Sequence, residues 1–363
     1  MPRDIRAAVT RAGGKTTIES LSLDDPRADE VLVELVATGI CHTDIVMRDG
    51  LLPVPTPVVL GHEGAGRILA VGEGVTGLQP GDPVVLSFAS CGHCRNCDDR
   101  QPAYCRDFVP NNFLAARSDG STALRNSDGP VHSHVFGQSS FATHAVVPAR
   151  NAVRVAEDAP LELLGPLGCG LLTGAGAVWN ALGVRRNDSI LILGTGAVGL
   201  AAIMAARIAG AAQIVAVDRS PERIALAREL GATQAHVADG RALGDSGIRD
   251  LDHAIDTTGH APLIEQAIAL LAPRGQMGLV AAFAPDTAIR FDGAHLMSAG
   301  RVVRGIVEGS ADPHDIIPRM IEHWRTGDFP IEKLVEFYPF EQLAEAIAAA
   351  ETGRAIKPIL RMQ

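Results

Sequence analysis

Gly194-Thr195-Gly196-Ala197-Val198-Gly199 follows directly on the apolar run Ile190 to Leu193 and opens the apolar stretch Ala197 to Ala209. A buried strand, a glycine turn and a helix in that order leave few folds open. The first glycine permits the tight turn, the second lets the backbone approach a pyrophosphate, and the third lets helix and strand pack closely beside the helix N-terminus. A second apolar run, Ile214 to Val217, ends in Asp218, nineteen residues after Gly199. A carboxylate there accepts hydrogen bonds from the adenosine ribose. Its charge repels a 2′-phosphate, so NAD is expected over NADP, although Arg219 and Arg223 soften the discrimination. The competing reading of Asp218 is a helix cap or a surface residue.

From about residue 171 strands alternate with helices: Met277 to Ala281 reads as a further strand and Pro221 to Leu230 as a second helix. Such alternation predicts a parallel sheet covered on both faces, a Rossmann-type doubly wound α/β domain. The chain before about residue 90 has another texture. Val31 to Val36 is apolar and β-branched, and Gly72, Gly74, Gly77, Pro80 and Gly81 crowd together, as in short strands joined by turns. Beyond about residue 307, Asp312 to Thr326 and Phe340 to Glu351 show helical periodicity.

A length of 363 residues favours two domains, and 47% hydrophobic with 20% charged residues describes a globular enzyme. The formal charge of -10 opposes binding to nucleic acid or an anionic membrane, so small ligands are the expected partners. Met1 to Thr10 lacks the apolar core of a signal peptide, and no run of about 18 apolar residues offers a membrane span. A cytoplasmic location is therefore expected.

Reduced thiols in that compartment are more often metal ligands or reactive groups than disulfides. Cys91, Cys94, Cys97 and Cys105 lie within fifteen residues, close enough to wrap one tetrahedral ion. Four sulfurs leave no position for substrate, so the role predicted is structural. An iron-sulfur cluster is the rival; the seven-residue last step and the following Arg106 fit zinc better. Cys41, His62 and Cys169 stand far apart in sequence. If they meet, they give zinc three ligands and an open fourth position, the arrangement of a catalytic ion; each cysteine can equally be a small buried hydrophobe.

Gly61-His62-Glu63-x2-Gly66-x5-Gly72-x2-Val75, together with the Cys41 region, the four-cysteine block, Cys169, the glycine turn and Asp218 in this order, resembles the zinc-containing alcohol dehydrogenases of the medium-chain dehydrogenase/reductase superfamily. The resemblance implies a β-rich, GroES-like catalytic domain over residues 1–170 and 307–363, and a Rossmann domain over 171–306. The active site would lie in the cleft. It makes Cys41, His62 and Cys169 the ligands of a catalytic zinc and the other four cysteines those of a structural zinc. Glu63 becomes a carboxylate behind the ligands. Thr43 is placed to contact the alcohol and pass its proton outward, and His42 to face the cofactor phosphates. Gly194 to Gly199 and Asp218 hold NAD, with Thr173, Arg223 and Lys357 as further contacts. A homodimer or homotetramer joined through an edge strand near Arg301 to Ile306 is also implied.

Asp119 to Leu124, Phe136 to Ala142 and Phe329 to Phe340 look most like the aryl-alcohol and allylic terpene alcohol dehydrogenases. Many relatives carry histidine where this chain has Val46, so the outer step of the proton relay is open. The reaction implied is reversible hydride transfer from a primary aryl or allylic alcohol to NAD. The rivals are a dehydrogenase of thiol-adduct formaldehyde (glutathione or mycothiol) and a catalytically silent NAD- and zinc-binding protein. His93, His132, His134 and His144 receive no ligand role.

Overall fold

The computed structural model describes residues 3–284 and 286–362, which divide into two compact units. The first runs to Cys169 and regains Asp312–Arg319 and the chain from Pro330; the second holds Gly170–Ala311 and Met320–Phe329.

The first unit carries two sheets. One is wholly antiparallel, in the order Val58–Val59, Arg3–Thr10, Thr16–Leu23, Leu124–Asn126, Gly129–Val131. The other is built around Glu30–Gly39, whose β-branched and leucine side chains, apart from half-buried Val36, are buried. Glu63–Val71, His144–Pro148 and the C-terminal strand Lys357–Arg361 all pair with it antiparallel. Two registers matter for chemistry. Gly39 stands opposite Glu63, so Cys41 and His62, each just beyond its paired strand, reach the same end of the sheet. Gly39 also stands opposite Ile359, which brings Lys357 to that end.

The second unit is a six-stranded sheet whose adjacent strands are all parallel, in the order Gln234–Val237, Gln213–Asp218, Ser189–Leu193, Leu251–Asp256, Leu271–Leu279, Val302–Gly305. Numbered by chain position this is 3-2-1-4-5-6, the doubly wound order with its switch point beside the first strand. Helix Ala197–Ala209 begins and ends where its pattern predicts, and Gly199 to Ala206 are buried without a break. Helix Pro221–Leu230 has Ser220 as its cap, accepting from the Arg223 N–H, with proline in the first turn.

Three expectations are corrected. The strand expected at Met277 to Ala281 runs over Leu271–Leu279, because its register with Leu251–Asp256 closes at Asp256 opposite Leu279. Phe340 to Glu351 begins as a 3-10 turn, Phe340–Gln342, before helix Leu343–Glu351. Met320–Phe329, assigned from sequence to the first unit, belongs to the second: Trp179 packs against His323 and Phe329 at centroid distances of 5.6 and 6.4 Å, and Arg207 donates to the Asp328 carbonyl at 2.6 Å. Among the described residues no single helix is long and apolar enough to cross a membrane.

Candidate active site

Cys41, His62 and Cys169 meet: their ligand atoms all lie within 4.8 Å of one another. Cys41 is the cap residue of helix His42–Arg48, and the helix supplies what fixes the site. One oxygen of Asp44 accepts from the Cys41 N–H at 3.1 Å; the other takes the Gly61 N–H at 3.0 Å and His62 Nδ1 at 2.8 Å. The imidazole is thereby held in one orientation with Nδ1 engaged. Nε2 is buried and has no hydrogen-bond partner. Such an orphan is costly unless something else binds there, and beside two thiols a zinc ion fits the donor set. Burial pushes the His62 imidazole down, but the facing Asp44 carboxylate and Cys41 outweigh it and hold it well above its ordinary range. A hydrogen bond with Cys169 draws the Cys41 thiol well below its own range, with help from His62.

Glu63 and Lys357 form a buried ion pair behind the three ligands, Nζ lying 2.8 and 2.9 Å from the two carboxylate oxygens and 3.1 Å from the Ile40 carbonyl. Burial pulls Lys357 down, yet the Glu63 carboxylate keeps it charged. Lys357, expected at the cofactor, has its ammonium engaged by Glu63 and the Ile40 carbonyl. Thr43 comes to the site, its hydroxyl 3.7 Å from the Cys41 sulfur. His42 is exposed at the start of the same helix.

The four-cysteine lobe closes on itself. Cys94 and Cys97 sulfurs are 3.6 Å apart, Cys91 and Cys97 sulfurs 3.9 Å, and all four lie within 4.8 Å of one another. Sulfurs about 2.3 Å from a tetrahedral zinc are about 3.8 Å apart, so the lobe fits one ion. The Cys91 N–H donates to the Cys105 sulfur at 3.2 Å. Backbone N–H groups of Arg106 and Cys97 lower Cys94 to about 6, whereas burial pushes Cys105 up to about 12.

In the second unit Gly194 has φ +88°, and a Cβ there would lie 2.3 Å from the Thr257 hydroxyl. A Cβ on Gly196 would meet nothing within 4 Å, and Gly196 caps helix Ala197–Ala209 without any side-chain acceptor. The first N–H groups of that helix therefore face open space, a fit for a pyrophosphate. Asp218 stands beside them, accepting from the Thr195 N–H at 2.6 Å and the Ser220 N–H at 2.9 Å. Burial raises this carboxyl, but those two N–H groups prevail and hold it below the usual range, with the Arg223 charge assisting. Asp218 thus clasps the glycine turn. Thr173 lies on helix Gly170–Gly176 and donates to Glu308 at 3.2 Å.

Sequence reasoning missed Asp44 and Phe136. Asp44 carries a readable signal, a carboxylate three residues after a cysteine that caps a helix. Phe136 has none: its ring stacks on the His62 imidazole at 4.4 Å and 20°, with Phe113 edge-on behind it at 5.2 Å. His134 is buried beside Glu30, Nε2 3.7 Å from its carboxylate, and His144 lies on a strand. His93 Nδ1 donates to the Cys91 carbonyl at 2.9 Å rather than joining the four sulfurs.

Residues 27–157 match the alcohol dehydrogenase GroES-like domain, and residues 197–324 match the zinc-binding dehydrogenase domain. The chain is 48% identical to geraniol dehydrogenase of Castellaniella defragrans, covering 98% of this chain and 97% of that one. Its structure is similar to an alcohol dehydrogenase zinc-binding domain protein from Burkholderia ambifaria, with TM-score 0.98, 49% identity and full coverage of both chains. Benzyl alcohol dehydrogenase from Acinetobacter calcoaceticus superposes with TM-score 0.96 at 42% identity, over 99% of this chain and 100% of that one.

Proposed function

Because this chain belongs to the zinc-containing alcohol dehydrogenases of the medium-chain dehydrogenase/reductase superfamily, which use zinc and a nicotinamide cofactor, we propose that it interconverts a primary aryl or allylic alcohol and its aldehyde with NAD. The observation that carries this reading is the meeting of two thiols and the partnerless Nε2 of His62 beneath the Phe136 ring.

Cys41, His62 and Cys169 would hold one zinc, and the four-cysteine lobe a second. The catalytic ion supplies Lewis acidity, which favours loss of the alcohol proton near neutral pH. Asp44 keeps His62 in the tautomer with Nε2 free, and the Glu63–Lys357 pair keeps a buried charge balanced behind the ligands. The Thr43 hydroxyl, beside Cys41, accepts the alcohol proton and releases it outward without a histidine at position 46. Phe136 and Phe113 form an aromatic wall next to His62, which suits a flat, unsaturated carbon skeleton.

Asp218, held below the usual carboxylate range, supports NAD over NADP, since its negative charge would oppose a 2′-phosphate. The sixth strand, Val302–Gly305, is a sheet edge with Val302 43% exposed, and a second copy pairing there would cover it. The test is a panel of benzyl, cinnamyl, geranyl and short aliphatic alcohols plus the glutathione adduct of formaldehyde, followed by NADH absorbance. We expect kcat/KM for the aryl or allylic alcohols to exceed that for ethanol about a hundredfold. A larger rate with the thiol adduct, or no rate with any member, would reject the reading.

A further inference from the structure

Glu308, Gly309 and Ser310, directly beyond the sixth strand of the Rossmann sheet, all take left-handed backbone angles, with φ of +44°, +62° and +51°. A non-glycine residue there is strained, and such strain persists where surrounding structure imposes it. Here the neighbour is helix Gly170–Gly176. A Cβ on Gly309 would lie 2.7 Å from the Leu172 carbonyl oxygen, and one on Gly176 2.6 Å from the Gly309 oxygen. The two backbones approach closely, leaving no space for a side chain at Gly309 or Gly176.

The result is a buried carboxylate at a fixed place. Glu308 and Thr173 are each 9% exposed, and the Thr173 hydroxyl donates to Glu308 Oε2 at 3.2 Å. The next residue, Gly174, abuts the dinucleotide turn: a Cβ there would lie 2.1 Å from the Val198 oxygen. Glu308 is therefore linked through Thr173 and Gly174 to the helix terminus that suits a pyrophosphate. Strand order fixes the direction. Asp218 ends the second strand, on one flank of the turn after the first strand, while the fourth, fifth and sixth strands lie on the other. With the adenosine half at Asp218, the nicotinamide half extends to the side where Glu308 stands, outside the carboxyl ends of the strands.

We propose that Glu308 discriminates the oxidation state of the cofactor, its carboxylate favouring the cationic nicotinamide of NAD+ over the neutral ring of NADH. This rests on the nicotinamide reading above and names a charge that reading does not use. A carboxylate near a cation in a water-poor site is attracted to it and is kept ionised by it. A neutral ring gains neither effect. By the binding cycle, the equilibrium between enzyme-bound NAD+ with alcohol and enzyme-bound NADH with aldehyde moves toward alcohol by the ratio of the two affinities.

The test is the Kd of NADH, read from its fluorescence, and of NAD+, read by competition, for the wild type, Glu308→Gln and Glu308→Asp. Glu308→Gln keeps the shape and the Thr173 contact without the charge, and should weaken NAD+ relative to NADH about tenfold. Glu308→Asp should hold the wild-type ratio within about threefold, since the charge remains. A folded Glu308→Gln with an unchanged ratio, or with both affinities weakened equally, overturns the proposal. A measurement on the wild type alone serves if the variants fail to fold. NAD+ should bind about tenfold tighter than an adenine dinucleotide carrying neutral benzamide in place of nicotinamide, and equal binding overturns the proposal. A wild type that binds neither NADH nor NAD+ defeats the nicotinamide reading itself, whereas binding without discrimination defeats only this inference.

Discussion

The two sulfur sites of the first unit use similar atoms in opposite ways. The lobe takes four thiols from fifteen consecutive residues, three of them partly exposed, and brings all four sulfurs within 4.8 Å of one another. The other site draws Cys41, His62 and Cys169 from across the first 169 residues, buries His62 and Cys169, and brings only three ligands together. A local site is made by its own loop and gives stability to that loop. The dispersed site exists only because two strand registers are already correct, so the fold supports the site and the site is free to leave a corner for chemistry.

That contrast is sharpest under substitution of one sulfur at each site. Cys41→Ser should lower turnover about a thousandfold or more, a loss of ~4 kcal/mol of transition-state stabilisation, with little change in thermal unfolding. Cys94→Ser should do the reverse. Loss of a ligand from a closed site weakens metal-linked folding, and a fall of about 10 °C in melting temperature is expected while activity per folded molecule in the cold survives. Calorimetry together with assays at 10 °C decides; equal stability losses in both variants would erase the distinction.

A finer break goes through Asp44, because three donors, the Cys41 and Gly61 N–H groups and His62 Nδ1, converge on its two oxygens. An asparagine offers one acceptor oxygen and turns an NH2 toward a donor. Asp44→Asn should therefore cost about 10- to 100-fold in zinc affinity at the dispersed site and nothing at the lobe. Competition with a chelating dye, counting zinc retained per chain, reads both sites in one titration; loss of both ions together would mean that Asp44 supports the whole unit.

The same contrast explains what could be read from the chain. The lobe was legible because its ligands are neighbours, and the Rossmann unit because strand, glycine turn and helix follow one another with Asp218 at the measured interval. Cys41, His62 and Cys169 carry no local sign that they meet; the resemblance supplied it, and the Gly39–Glu63 register is the physical cause. Phe136 was hidden for the same reason, since its stack on His62 depends on left-handed angles at His134, Phe136 and Ser139 that no periodicity encodes. The Glu63 partner of Lys357 is equally invisible, since a lone lysine in a terminal strand does not reveal a buried carboxylate 294 residues away. Met320–Phe329 was misplaced because its affiliation rests on Trp179 and Arg207, far back in the chain.

The smallest effect lies within the lobe and concerns protons. In metal-stripped protein, Cys94 with its value near 6 is mostly thiolate at pH 7, whereas Cys105, pushed to about 12, keeps its proton. Iodoacetamide at pH 7 should therefore label Cys94 at least about tenfold faster than Cys105, as read by peptide mass spectrometry, with the Cys94 rate falling as pH drops through 6. Zinc binding must displace the protons that Cys97 and Cys105 still hold, so affinity at the lobe should rise with pH across the neutral range. Equal labelling of the two cysteines would show that the Arg106 and Cys97 backbone N–H groups do not prepare Cys94 before the ion arrives. The lobe would then be organised by its metal rather than for it, and in that respect it would be the more dependent of the two sites.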